Sequence, residues 1–215
     1  MRYDEVYCKT KSYFGAEPEP LLKHHRHLLD KSHRILDIGA GQGRHALFLA
    51  REGFKVDAID SSKVAIETVS AMAAKENLDI RTYQSSFETF EPETDFFSGI
   101  LIFGLIQILS WASIELLLEK ILLWTRTGSL VFARAFTTKD PSFARNRRSR
   151  EWKSSGKNSF TDERGHFRTH LEEGEILSLF CDFKVVDHWE GLGPRHRHGD
   201  GPFERHAEVE GVFRR

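Results

Sequence analysis

The 215-residue sequence predicts an α/β domain built on one doubly wound sheet of about seven strands, mostly parallel, with an antiparallel hairpin strand at the C-terminus. Three observations predict it. Short apolar runs alternate with segments of helical period through residue 136. A glycine cluster stands between the first run and the helix that follows it. After residue 170 the order becomes helix, strand, loop, strand, which closes as a hairpin more readily than as another crossover.

The prolines at 18 and 20 suit an initial helical turn, and LLKHHRHLLD continues that helix with Leu21, Leu22, His25, Leu28 and Leu29 on one face. Arg34–Ile38 is the first strand. HALFLAREG is helical, with Gly53 as its stop. FKVDAID is the second strand, and Ser61 or Ser62 caps the helix KVAIETVSAMAAKEN. Ile80–Gln84 and Ser98–Phe103 are the third and fourth strands. The spacing of Leu116, Leu117, Lys120, Ile121 and Trp124 predicts a helix from about Ile106 to Trp124. Ser129–Phe136 is the fifth strand. Residues 137–168 are polar, basic and weakly periodic, and predict a long loop or mobile lid. Leu171–Phe180 is helical, and Phe183–Trp189 and Glu208–Phe213 complete the sheet. The chain therefore reads as a single domain over 1–215, with an N-terminal helical segment (about 1–31) and a basic insertion (about 137–168).

Composition narrows the function classes. Lys and Arg number 31 against 32 Asp and Glu, a net charge of −1, which gives no whole-protein attraction to nucleic acid or anionic membrane. Two cysteines, Cys8 and Cys181, are too few for a disulfide framework and suit a reduced, cytoplasmic setting. The most apolar stretch, Gly99 to Leu109, is about half the length of a membrane span. The N-terminus lacks the apolar core of a signal peptide.

The informative segment is Asp37-Ile38-Gly39-Ala40-Gly41-Gln42-Gly43, which ends a strand and opens a helix in the Rossmann-like manner. Glycine permits a tight turn and close approach of a ligand. The helix start offers unpaired amides and partial positive charge. The spacing is G-x-G-x-G, not the G-x-G-x-x-G of a dinucleotide site, which disfavours a nicotinamide oxidoreductase. Asp37 suits an ammonium group better than a pyrophosphate. Asp60, ending the second strand, stands where a carboxylate accepts both hydroxyls of a ribose.

ILDIGAGQGRHALFLAREGFKVDAID resembles the first two motifs of class I S-adenosylmethionine-dependent methyltransferases, and is most similar to the tellurite-resistance-type branch of small-molecule enzymes. G-x-G-R, LA-x-x-G and V-D-A-x-D carry the likeness, together with the aromatic pair Tyr13-Phe14. It spans residues 13 to 136 and loosens afterwards. The resemblance implies S-adenosyl-L-methionine as cofactor. Asp37, Gly39, Ala40 and Gly41 would line the methionine moiety, Asp60 would hold the ribose, and Ser61 would lie beside the adenine. Tyr13 would face the same ligand. Ser86 and Phe87 occupy the place where relatives often carry an adenine-binding acid. Phe103 and Gln107 fall where the family lines sulfonium and adenine. Arg44 would reach the methionine carboxylate or a substrate anion, with a surface ion pair as the alternative.

For the acceptor, two segments leave the strand-end rim where ligands bind in such sheets: 137–170 and 190–206. His166, His170, His196 and His198 are therefore candidate acids, bases or substrate-binding groups, with solvated loop residues as the alternative. A metal held by His196, His198 and His206 is a third reading, but His-x-His is a common spacing that fixes no third ligand, and no metal is assigned. The run KDPSFARNRRSREWKSSGKN could clamp an anionic small molecule or track an RNA strand over 139–157. The neutral whole favours the former. The expected partner is a small methyl acceptor, anionic or a soft nucleophile, bound by a monomer or homodimer without nucleic acid or membrane.

Overall fold

The computed structural model describes residues 3–215. The chain begins with α1 (Tyr3–Tyr7) and α2 (Pro20–His25). There follow β1 (Arg34–Ile38), α3 (Arg44–Arg51), β2 (Lys55–Asp60), α4 (Lys63–Glu76), β3 (Ile80–Gln84), β4 (Phe97–Phe103), α5 (Trp111–Trp124) and β5 (Thr125–Phe136). The insertion holds α6 (Pro141–Arg148), β6 (Lys153–Ser154), β7 (Ser159–Thr161) and β8 (Phe167–Thr169). The chain closes with α7 (Glu175–Leu179), β9 (Lys184–Leu192) and β10 (Ala207–Arg214).

Seven strands form one sheet in the order β3-β2-β1-β4-β5-β10-β9. Neighbours from β3 to β5 are parallel, and β10 runs antiparallel to both β5 and β9. A strand antiparallel to both neighbours leaves β9 parallel to β5, so β9 ends on the same rim as β1, β2 and β4. One apolar cluster packs Leu22, Leu49, Val56, Val69 and Phe132 against one face, under α2, α3 and α4. The other joins Ile100, Leu117, Trp124, Ile176, Phe180 and Phe213 under α5 and α7. Helices thus cover both faces, as near-continuous burial along β1 and β4 requires.

Strand ends shift by a few residues, as at β5, which begins at Thr125, and three helix boundaries differ because a local polar bond outcompetes apolar periodicity. The first helix stops at His25, followed by one 3-10 turn (Arg26–Leu28) and an extended Leu29. Beyond it the Asp30 carboxylate accepts from Ser32 N at 2.8 Å, fixing a turn. The helix expected from Ile106 is broken at an extended Leu109 because the Ser110 hydroxyl caps α5, accepting from Ser113 N at 3.1 Å. Leu171 lies outside α7, since its N–H bonds to Phe136 O at 2.9 Å in a strand-like bridge.

The segment read as a loop or lid carries a capped helix and a small antiparallel sheet in the order β6-β7-β8. Strands of two or three residues are too short to show an alternating pattern. Asp140 caps α6 through Ser142 N at 2.8 Å. The insertion is tied to the start of α5: Trp111 Nε1 donates to Lys157 O, and Thr169 Oγ1 donates to Leu109 O, both at 2.6 Å. Among the described residues no helix is long and apolar enough to cross a membrane.

Candidate functional site

The turn after β1 is shaped by its glycines. Gly39, Gly41 and Gly43 all have positive φ, at 70°, 53° and 81°. Gly43 is the most constrained, because a Cβ there would lie 2.6 Å from Val69 Cγ2 of α4. The amides of Gly39 and Ala40 both donate to Ile59 O, pinning the turn to the end of β2. Asp60 receives Gly41 N on one carboxylate oxygen and Ser62 N on the other, each at 2.8 Å. Each oxygen keeps a further lone pair, so Asp60 braces the turn and still presents acceptors to a ligand. Burial raises its pKa, and those two amide bonds pull it back.

Asp37 precedes the turn and is 2% exposed, with Oδ2 lacking a partner. Burial raises its carboxyl to about 7, against the opposing attraction of Arg44. A buried carboxylate oxygen without a donor is an incomplete arrangement that a cationic ligand group would complete.

The turn forms one end of a cavity of about 560 Å³, within the range of small-ligand sites. Tyr13, Gly39, Ala40, Gly41, Arg44, Asp60, Ser61, Ser86, Phe87, Phe103 and Gln107 all line it, as do His196 and His198. Gln107 sits on the 3-10 turn after β4, and its buried Oε1 has no partner. Asp37 lies just behind the wall, next in sequence to the lining residue Ile38.

His166 and His170, expected as candidate catalytic groups, do not line the cavity. The His166 ring bonds Asp162 across a tight turn at 2.7 Å and helps hold that carboxyl at about 2. His170 is fully buried in the insertion, its Nε2 3.0 Å from Ser142 Oγ and its ring edge-on to Phe143 and Phe160. Burial holds it at about 4. It serves the core of the insertion.

Several lining residues escaped the sequence reading. The N-terminal segment folds over the glycine turn through Gln42, whose amide accepts from Tyr13 N at 2.8 Å and donates to Thr10 O at 2.6 Å. This brings Tyr3, Tyr7 and Phe14 into the wall. The sequence signals were the i, i+4 spacing of Tyr3 and Tyr7 and, for Phe14, its place in the aromatic pair with Tyr13. Arg134 of β5 also lines the cavity, paired with Glu19 at 2.9 Å and Glu208 at 3.4 Å. A lone charge inside the apolar run LVFARAF was a readable sign of it. Arg44 shares Glu19 and donates to Phe14 O at 3.0 Å, so it is committed to closing the N-terminal segment. Arg145 and Arg168 reach the cavity from the insertion. His45 lines it as a buried ring 4.5 Å from Phe103, kept neutral by burial and by Arg44 and Arg134.

A methyltransferase-domain family model matches residues 35–128, from β1 into β5. TehB of Haemophilus influenzae, a probable S-adenosyl-L-methionine-dependent methyltransferase, is 29% identical over 104 residues, 45% of this chain and 36% of that protein. Its crystal structure superposes with a TM-score of 0.72 at 17% identity, covering 99% of this chain and 67% of that one. Residues 35–128 thus carry a methyltransferase domain, and the likenesses in sequence and fold point to S-adenosylmethionine-dependent methyltransferases near TehB. Hemagglutinin 1 of Eikenella corrodens is 30% identical over 118 residues, 48% of this chain and 36% of that protein. The chain spans about a third of the length of these curated relatives. The 1,6-didemethyltoxoflavin-N1-methyltransferase of Burkholderia thailandensis, solved with its acceptor and S-adenosylhomocysteine, has a TM-score of 0.68 at 17% identity. That likeness covers 99% of this chain and 86% of the other.

The residues present fit the family's cofactor, S-adenosylmethionine. The partnerless Asp37 oxygen suits its ammonium, the free lone pairs of Asp60 suit its ribose, and the partnerless Gln107 oxygen suits a donor such as the adenine amino group.

Proposed function

We propose that this methyltransferase-family chain transfers a methyl group from S-adenosylmethionine to a small, anionic acceptor. The observation that carries this reading is the enclosure of one cavity by the cofactor turn, Arg145 and Arg168 of the insertion, and the histidine loop. Lys139 and Lys157, counted in the basic run, pair with Glu173 and with Glu172 and Glu175. That pairing removes two cations from any track for a nucleic-acid backbone, while Arg145 and Arg168 line the cavity. The small-molecule acceptor in the name of the Burkholderia neighbour supports the same class.

When bound, S-adenosylmethionine supplies a methyl on a sulfonium, an electrophile needing no activation by protein. The work left to this chain is placement and exclusion of water. Asp37, the Gly39–Gly41 turn and Asp60 would fix the two ends of the cofactor. Tyr13, Phe14 and Phe136 wall the cavity toward His196, His198 and His206. Arg145 and Arg168 would hold the acceptor's anionic group.

Protein incubated with methyl-labelled S-adenosylmethionine and a panel of small thiols, phenols and amines, with and without carboxylates, tests the proposal. Label should enter a carboxylate-bearing small molecule, and Arg168→Ala should raise its KM while leaving cofactor affinity unchanged. Label entering RNA or protein instead, or calorimetric binding of NAD without S-adenosylmethionine, refutes it.

A further inference from the structure

We propose that His196, His198 and His206 bind a divalent cation of the zinc class at the acceptor end of the cavity. Among the described residues these three rings each offer a ligand nitrogen, and the three nitrogens lie within 4.8 Å of one another. Tetrahedral metal–nitrogen bonds of roughly 2.1 Å place ligand nitrogens about 3.4 Å apart, so the widest separation must shrink by up to about 1.4 Å, a movement within reach of side-chain rotation in a loop.

The surroundings prepare the rings for ligation. The His206 Nδ1 lies 2.9 Å from Asp140 Oδ2, on a carboxylate with no exposed side-chain surface. As donor to that carboxylate, Nδ1 leaves Nε2 as the lone-pair nitrogen, the carboxylate–histidine arrangement of metal sites. The same oxygen accepts from Ala207 N at 3.0 Å, so it is fixed by the backbone at the start of β10. His196 Nδ1 lies 3.1 Å from Pro194 O, an acceptor that likewise directs Nε2 outward. His198 Nδ1 is buried and has no partner. The loop is closed by two backbone bonds between residues 196 and 204, at 2.9 and 2.7 Å, and its Gly199 N donates to Tyr13 O at 3.1 Å. Tyr13 stacks on His198 at 5.7 Å and Phe136 on His206 at 4.2 Å.

The carboxylate of Glu204 sharpens the case. Its Oε2 is 3.7 Å from His206 Nε2, the nitrogen left without a proton when Nδ1 donates to Asp140. In that tautomer a cation on Nε2 would be shared with this carboxylate. Imidazole ligands with a carboxylate at hand suit zinc and its neighbours better than calcium or magnesium.

The metal site stands on its own geometry, whereas its role rests on the proposed methyl transfer. Three protein ligands with an open position make a catalytic pattern. An acceptor thiol or hydroxyl on the metal would release its proton to water. Its lone pair would then form the bond to carbon as the carbon–sulfur bond of the sulfonium breaks, leaving the neutral thioether.

Tag-free, chelator-treated protein titrated with Co²⁺ and Zn²⁺ tests the site. Expected are a visible d–d band of four-coordinate Co²⁺ saturating at one equivalent, its displacement by Zn²⁺, and loss of both in the loop variant His196→Ala/His198→Ala. Asp140→Asn should weaken Zn²⁺ roughly 10- to 100-fold. Absence of the band, or equal Zn²⁺ binding by wild type and the loop variant, overturns the site. Calorimetry with S-adenosylhomocysteine on the same samples separates the two readings: metal binding without cofactor binding would refute methyl transfer alone.

Discussion

Asp60→Ala is the most direct probe of the cofactor half of the site. In the folded chain Asp60 already accepts Gly41 N and Ser62 N at 2.8 Å, so truncation has two separable effects. Charge-assisted bonds to two ribose hydroxyls would be lost, weakening cofactor binding by about 2–3 kcal/mol. That is roughly 30- to 150-fold in Kd. The bracing of the glycine turn would also be lost, which appears in ligand-free protein as a lower melting temperature. Calorimetry with S-adenosylhomocysteine and with its 2′-deoxy analogue distinguishes the two. Wild type should discriminate between the ligands, and Asp60→Ala should bind both weakly and alike. Equal discrimination by both proteins, or wild-type affinity in the variant, would refute Asp60 as the ribose ligand.

Three further outcomes are expected. Gly43→Ala places a methyl group 2.6 Å from Val69 Cγ2 at a φ of +81°. It should lower stability by about 2–4 kcal/mol in urea denaturation, with Val69→Ala restoring only the contact part. Asp37 has its folded pKa raised from 3.8 to about 7, so the folded chain retains a proton there that the unfolded chain has released. Stability of the ligand-free protein should therefore fall as pH rises through this window, with Glu210, also raised to about 7, adding in the same direction. The stabilising increment from S-adenosylhomocysteine, whose ammonium prefers the ionised Asp37, should grow over the same range. Asp37→Asn should abolish that growth in thermal-shift titrations, and an unaltered pH profile would disprove the pairing. His170→Ala should cost about 2–3 kcal/mol of stability through its lost packing and hydrogen bond while leaving cofactor affinity unchanged. A selective loss of cofactor binding would return His170 to the site.

The sequence by itself determined the sheet and the glycine turn that lines the cavity. Strand residues buried on both faces read as continuous apolar runs, and a glycine turn between strand and helix is legible within Asp37 to Arg44, although Ile59, Asp60 and Val69 hold it in place. Asp60 followed because it ends the next strand, one crossover away. Helix starts were less legible, because a single serine hydroxyl at Ser110 or an Asx turn at Asp30 outweighs apolar periodicity that continues past it. The opposite end of the cavity was decided only in three dimensions. His170 and His198 carry the same side chain in similarly polar segments. One is buried by Phe143 and Phe160, and the other is aimed into the cavity against Tyr13. Arg134, Arg145 and Arg168 converge from β5, α6 and β8, and His206 is oriented by Asp140, 66 residues earlier. Such convergence depends on how the insertion and the last hairpin pack over the strand ends. Periodicity and spacing record only neighbours along the chain.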